Sequence, residues 1–255
     1  MAKTIEAVLK KLDRPPAGHN FARSNFQSLT RTTSALVNLA LGFPTVSYRW
    51  AIDVIQAQLG DRLSDIEAKK LLAVNCPRSQ LDDNLELLVA FQAYNAVRKF
   101  DGLRVFPEFC GSYMAGPDVA VPIRPTALLR EGGIIKPLFV IGWATKGLGW
   151  YQRRLLSSMY EDAIYSLTDL RASQGEVLIF PKNGYGQRTV DRWTRGDYPE
   201  LSKDELRDQS ERFILARSAA RPLIADRIRD RDEKKRRQQT IRPTVPSGPF
   251  ADPKR

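Results

Sequence analysis

The stretches GPDVAVPIRP, residues 116–125, and IIKPLFVIGWATKG, residues 134–147, decide how this chain is read. Both are rich in aliphatic and β-branched residues, which suit a pleated, half-buried surface. Glu131-Gly132-Gly133 lies between them and is a turn signal, so residues 118–130 and 134–146 are expected to form a hairpin. Pro122 and Pro125 mark the first of these as an edge or bulged strand, because proline cannot donate to a ladder. Asp118 then opens one strand and Lys146 closes the other, a lone carboxylate and a lone lysine at neighbouring strand ends.

Working outward, LRVFPEF (103–109) reads as a preceding strand. The segment 150–172 reads as a long helix and EVLIFPK (176–182) as a short buried strand. Upstream the pattern is helical. TIEAVLKKL is a short amphipathic helix, and residues 24–42 form the next, with Ser24 or Asn25 as N-cap and Gly42 as stop. Residues 47–61 follow, with Gly60 as C-cap. Ser64 stands three residues before Glu67, the spacing of a capping box. Leu81, Leu85 and Leu88 begin a broad apolar face on a helix that Gly102 closes. The chain is therefore expected to be α/β (α+β). A helical N-terminal region (1–78) precedes a small mixed sheet flanked by helices (79–200), a basic C-terminal helix (201–240) and a disordered tail (241–255).

The 255 residues carry a net charge of +11, and 42% are hydrophobic, enough for a substantial core. Such a balance favours polyanionic partners. Cys76 and Cys110 are the only cysteines, which argues against a disulfide framework or a structural zinc site. His19 is the only histidine, in a PPAGHN segment that reads as an exposed loop, so histidine-based acid–base catalysis is hard to build. No phosphate-binding Walker pattern occurs. No apolar run approaches a membrane span and the N-terminus lacks a signal-peptide core, so no membrane contact and an intracellular, cytoplasmic location are expected.

The order helix, three strands, helix, strand, together with Pro117-Asp118 and Ala144-Thr145-Lys146, resembles the PD-(D/E)XK, or restriction-endonuclease-like, nuclease fold over about residues 80–182. That resemblance implies Asp118 and Lys146 as catalytic residues, with Mg²⁺ held by carboxylates. Alanine at 144 replaces the family's second acid. Glu161, on the helix after Lys146, and Glu108, at the end of the preceding strand, are the candidates to replace it; Asp118 and Glu161 would then hold the metal. Gln152 sits where some members carry a glutamine-and-tyrosine motif, but Leu156 stands where the tyrosine would be. Arg153, Arg154, Arg188 and Arg192 lie beside aromatic residues and are candidates to grip phosphates. Trp150 and Trp193 read as core anchors. Lys234, Lys235, Arg236 and Arg237 form a basic run with no acidic relief. The expected function is nucleic-acid binding, to DNA or RNA, by a nuclease-like fold that no longer cuts. The N-terminal helices are expected either to offer a surface for other protein subunits or to pack on one another. The alternative is an active Mg²⁺-dependent nuclease.

Overall fold

The computed structural model describes residues 4–42, 46–98, 102–104, 110–145 and 147–240. Six helices come first: α1 (Ile5–Leu12), α2 (Gly18–Ser24), α3 (Leu29–Leu41), α4 (Arg49–Asp61), α5 (Asp65–Asn75) and α6 (Arg78–Asn95). Their ends follow local chemistry. The Thr4 hydroxyl accepts from Ala7 N at 3.3 Å and the Ser28 hydroxyl from Arg31 N at 3.4 Å, each satisfying an orphan donor. The α3 cap is thus Ser28 rather than Ser24 or Asn25, because α2 occupies residues 18–24. Gly42 stops α3 at φ 62°, a left-handed conformation that glycine adopts without strain. Gly60, expected to cap α4, lies inside it; the left-handed cap is Arg62 at φ 54°. The capping box at the start of α5 forms: Glu67 N donates to the Ser64 hydroxyl and Ser64 N to the Glu67 carboxylate.

Among the described residues seven strands and two further α-helices follow: β1 (Gly102–Arg104), β2 (Gly111–Gly116), β3 (Val119–Ile123), β4 (Ala127–Glu131), β5 (Ile134–Ile141), α7 (Trp150–Tyr160), β6 (Glu176–Ile179), β7 (Asp191–Thr194) and α8 (Lys203–Thr240). The fold is mixed α/β, with a helical N-terminal region and a long C-terminal helix. The main sheet has five strands in the order β1-β4-β5-β6-β7. β4 runs antiparallel to β1 and β5, β5 and β6 are parallel, and β7 is antiparallel to β6. Helix α7 makes the crossover that a parallel pair requires.

The hairpin across Glu131-Gly132-Gly133 forms as expected, with Glu131 opposite Ile134 and Ala127 opposite Leu138. Both arms are shorter than the sequence implies: the second, β5, ends at Ile141 rather than at 146. Residues 118–130 do not make one strand: β3 pairs only with β2 in a separate two-stranded sheet, and β4 begins after Thr126. The break falls at Arg124-Pro125, where the proline ring has no N–H to give and restricts the residue before it. The long helix expected over 150–172 also ends early. It loosens into a π-turn at Glu161–Tyr165 and a 3₁₀ turn at Thr168–Leu170.

Two cores sit on opposite faces of the main sheet. Phe139 and Ile141 join one with α1, α2, α3, α7, α8 and the β2–β3 hairpin; Leu138 and Val140 join the other with α4, α5 and α6. This explains the uninterrupted apolar run of β5, which is covered on both sides. The helices of residues 1–78 accordingly divide between the two faces. Helix α8 lays Phe213, Ala216, Ala220, Ile224 and Ile228 into the first core, a spacing of three and four that keeps one face inward. Pro222 lies within α8 on its exposed side. Among the described residues, no helix is long and apolar enough to cross a membrane. The expected tail, 241–255, lies outside the described residues.

Candidate functional site

Asp118 does not open a strand of the main sheet. It lies, exposed, in the turn Pro117-Asp118 that joins β2 to β3. That end of the hairpin rests on α8, where the Ser210 hydroxyl donates to Ala115 O at 2.6 Å. The opposite end of β2, Gly111, packs on the backbone of Ala163 in the π-turn. At about 3.3 Å per residue, roughly 16 Å separate the two ends. Glu161 belongs to the far end. Both its oxygens accept from Arg195, Nε and Nη2 each at 2.6 Å. Arg195 also donates to the carbonyls of Arg171 and Ser173 and lies over the Tyr165 ring at 4.3 Å. This carboxylate raises the Arg195 pKa and satisfies a guanidinium rather than an ion.

Asp118 and Glu161 therefore do not converge on a metal-sized gap, which for Mg²⁺ needs oxygens at about 2.0–2.1 Å. Among the described residues, no group of three or more His, Cys, Asp or Glu side chains is placed to hold a metal ion. Glu108 and Lys146 lie outside the described residues. Asp118 and Glu161, the pair that the sequence assigned to Mg²⁺, do not fit that ion as a shared site.

The residue that does precede the second strand of the main sheet is Thr126. Its hydroxyl accepts from Val140 N at 2.9 Å, its N–H donates to Leu138 O at 2.6 Å, and its carbonyl accepts from Gln56 at 2.9 Å. A neutral hydroxyl that accepts from the β5 backbone thus occupies the strand start. The carboxyl ends of parallel strands commonly form a ligand crevice. Here one flank of that crevice is filled by Arg188, which donates to Gly142 O at 2.9 Å and Phe180 O at 2.7 Å and lies over the Tyr48 ring at 4.8 Å. Beside it Lys182 pairs with Glu86 at 2.7 Å.

The other arginines singled out in the sequence are also engaged by acids of the fold, Arg153 and Arg154 largely covered and Arg192 exposed. Arg153 bridges Asp191 and the Tyr198 hydroxyl, the latter at 2.8 Å, and donates to Leu148 O. Arg154 grips Glu205 through two bonds at 2.9 and 2.8 Å and the carbonyls of Pro199 and Glu200. Arg192 pairs with Glu176, a buried carboxylate that also accepts from Tyr94 and Arg98. Those contacts hold Glu176 below the usual carboxylate range although burial alone would raise it. Arg153 and Arg154 spend their charge on acids 38 and 51 residues away and Arg192 on one from the neighbouring strand, which adjacency to aromatics does not reveal.

Two aromatic expectations divide. Trp193 is buried, but Trp150 is 61% exposed, because α7 begins at the protein surface and its indole leans edge-on against Tyr198. Gln152 is a buried clamp: its Oε1 accepts from Gly149 N at 3.0 Å and its Nε2 donates to Arg23 O at 2.6 Å, tying α7 to α2. His19 is not in an exposed loop. It lies in α2, partly covered, with its ring edge-on to Trp143 at 5.5 Å. Burial, with Arg23 nearby, lowers its pKa to about 4.

Arg23 is the residue that the sequence did not signal. It lies over the Trp143 ring at 4.5 Å and donates to the Thr145 hydroxyl at 2.7 Å, just past the end of β5. A separation of 122 residues hides the pairing. The basic run at the end of α8 is placed differently. Among the described side chains Ile228 is the last buried one of α8, and the helix continues beyond it to Thr240. Lys234, Arg236 and Arg237 are exposed on this extension; the Lys235 side chain lies outside the described residues.

No family model, no curated protein and no solved structure matches this chain.

Proposed function

We propose that this protein binds nucleic acid through the basic end of α8 and does not cleave it, acting as a binding or assembly subunit. The observation that carries this reading is that α8 runs on past the core as a helix whose last turns present Lys234, Arg236 and Arg237 to solvent. A helical extension at about 1.5 Å per residue is long enough to lie along a phosphate backbone. The net charge of +11 supplies the long-range attraction. Support for a nuclease-like ancestry is the order α6, β1, β4, β5, α7, β6, in which the β2–β3 hairpin is an insertion. Support for lost cleavage is Thr126 at the strand start and the engagement of Glu161 by Arg195.

The test compares the full chain with a variant carrying Lys234→Gln, Lys235→Gln, Arg236→Gln and Arg237→Gln. Binding to labelled duplex and single strands is followed by anisotropy across salt concentrations. On duplex, about 0.9 counterion is released per neutralised phosphate, so losing four contacts lowers the slope of log affinity against log salt by about 3–4. Unchanged affinity and slope refute the reading. Cleavage of either strand type in Mg²⁺ or Mn²⁺, abolished by chelator, refutes the non-cleaving half of it.

A further inference from the structure

The solvent side of α5 carries an apolar face that its own fold leaves uncovered. Ala68 and Leu72 point into the second core. On the opposite side Ile66 is 66% and Val74 82% exposed, with Leu63 and Leu71 partly exposed beside them. Leu63, Glu67, Lys70, Leu71 and Val74 line a shallow apolar groove. Four of these, at 67, 70, 71 and 74, have the i, i+3, i+4, i+7 spacing of the hole that receives a knob from a facing helix. Glu67, Lys70 and Val74 are separated by three and four residues, the stripe of a two-helix seam, and Leu63, in the chain just before the Ser64 cap, borders the same groove.

That stripe is complementary to itself when reversed. A two-fold axis running beside α5, level with the Ala68–Lys69 link, sets Glu67 opposite the second copy's Lys70 and brings Val74 to the start of the second copy's helix, where Leu63 borders the groove. Ile66 then flanks one side of the seam and Leu71 the other. Both polar positions meet an opposite charge and both end positions meet an apolar side chain. The parallel arrangement would instead stack Glu67 on Glu67 and Lys70 on Lys70, which like-charge repulsion disfavours. An isologous contact of this kind is the commonest way for a chain to dimerise.

We infer that the protein forms a two-fold homodimer through antiparallel pairing of α5. The occupant of the groove is a second copy of this chain, chosen by the charge pattern of the helix itself. The contact uses one short helix per copy, so it is reversible and concentration-dependent. It is independent of the nucleic-acid reading, since it involves neither α8 nor the sheet.

Sedimentation equilibrium of the full chain over a wide concentration range tests it. The average mass is expected to rise from 28.8 kDa towards twice that value. Val74→Asp places a carboxylate in the seam, and Lys70→Glu sets Glu67 against a second acid. Both positions are exposed, so circular dichroism is expected to match the parent while each variant stays monomeric. Glu67→Gln keeps the capping-box acceptor and weakens association less than Lys70→Glu does. A monomer at every concentration overturns the inference. So does a dimer that Val74→Asp and Lys70→Glu leave intact.

Discussion

His19 makes a measurable prediction because its environment is specific and it is the only histidine in the chain. Its ring lies edge-on to Trp143, its Nε2 is 3.2 Å from Asn20 Nδ2, and the Arg23 guanidinium occupies the same indole. Desolvation first, and Arg23 second, lower its pKa from 6.5 to about 4. The folded protein therefore holds the neutral imidazole where the unfolded chain takes up a proton. Stability from this residue is complete above pH 6.5 and falls as the pH drops towards 4. Between pH 7.5 and 5.5 the loss is about 1.4 kcal/mol. It reaches about 3 kcal/mol at most near pH 4, an upper bound because the ring keeps some contact with water. The upper part of that window lies above the range where Glu131, Glu176 and Glu205, all held low by their partners, begin to protonate. Urea denaturation at pH 7.5 and 5.5 measures the loss, and His19→Gln is expected to remove most of it. Proton NMR of the single imidazole gives the titration directly. A midpoint near 6.5 in the folded protein, or a His19→Gln variant that loses as much stability as the parent, refutes the argument.

Two other substitutions test the packing around the π-turn. Glu161→Gln leaves the partly buried Arg195 with a neutral partner and is expected to destabilise the fold by about 1–2 kcal/mol, below the cost of breaking a fully buried pair; unchanged thermal stability would release Glu161 from its structural role. Gly175→Ala is expected to destabilise by at least 1–3 kcal/mol, of the order of overpacking a core, because an added methyl meets the Tyr165 hydroxyl directly. A Tyr165→Phe background that recovers part of the loss checks the cause.

The parts of the fold legible in the sequence are those set by local rules. The Ser64–Glu67 capping box, the Gly42 stop and the Glu131-Gly132-Gly133 hairpin turn are each decided within a few residues. The buried strand at 176–179 was legible because its apolar run has no polar alternation. What was hidden depends on partners far along the chain. β2 and β7 were not evident, since GSYMAG and DRWT acquire strand character only from β3 and β6. The split at Pro125 turned on which sheet each half joins, and that moved Asp118 off the main sheet to a hairpin tip. The arginines misled for a related reason: Arg153 finds Asp191 and Arg154 finds Glu205 across 38 and 51 residues, so a surplus of positive charge along the chain did not show which charges remain outside.

The alternation along β5 ties the two faces of the protein together. Phe139 packs with the layer of α7 and α8, Val140 with that of α4 to α6, and the same peptide links join them. Neither layer can detach without exposing the back of the strand that the other still covers. Amide protons at the centre of β5 therefore exchange with deuterium only when the whole molecule opens, and their protection measures the global free energy of unfolding.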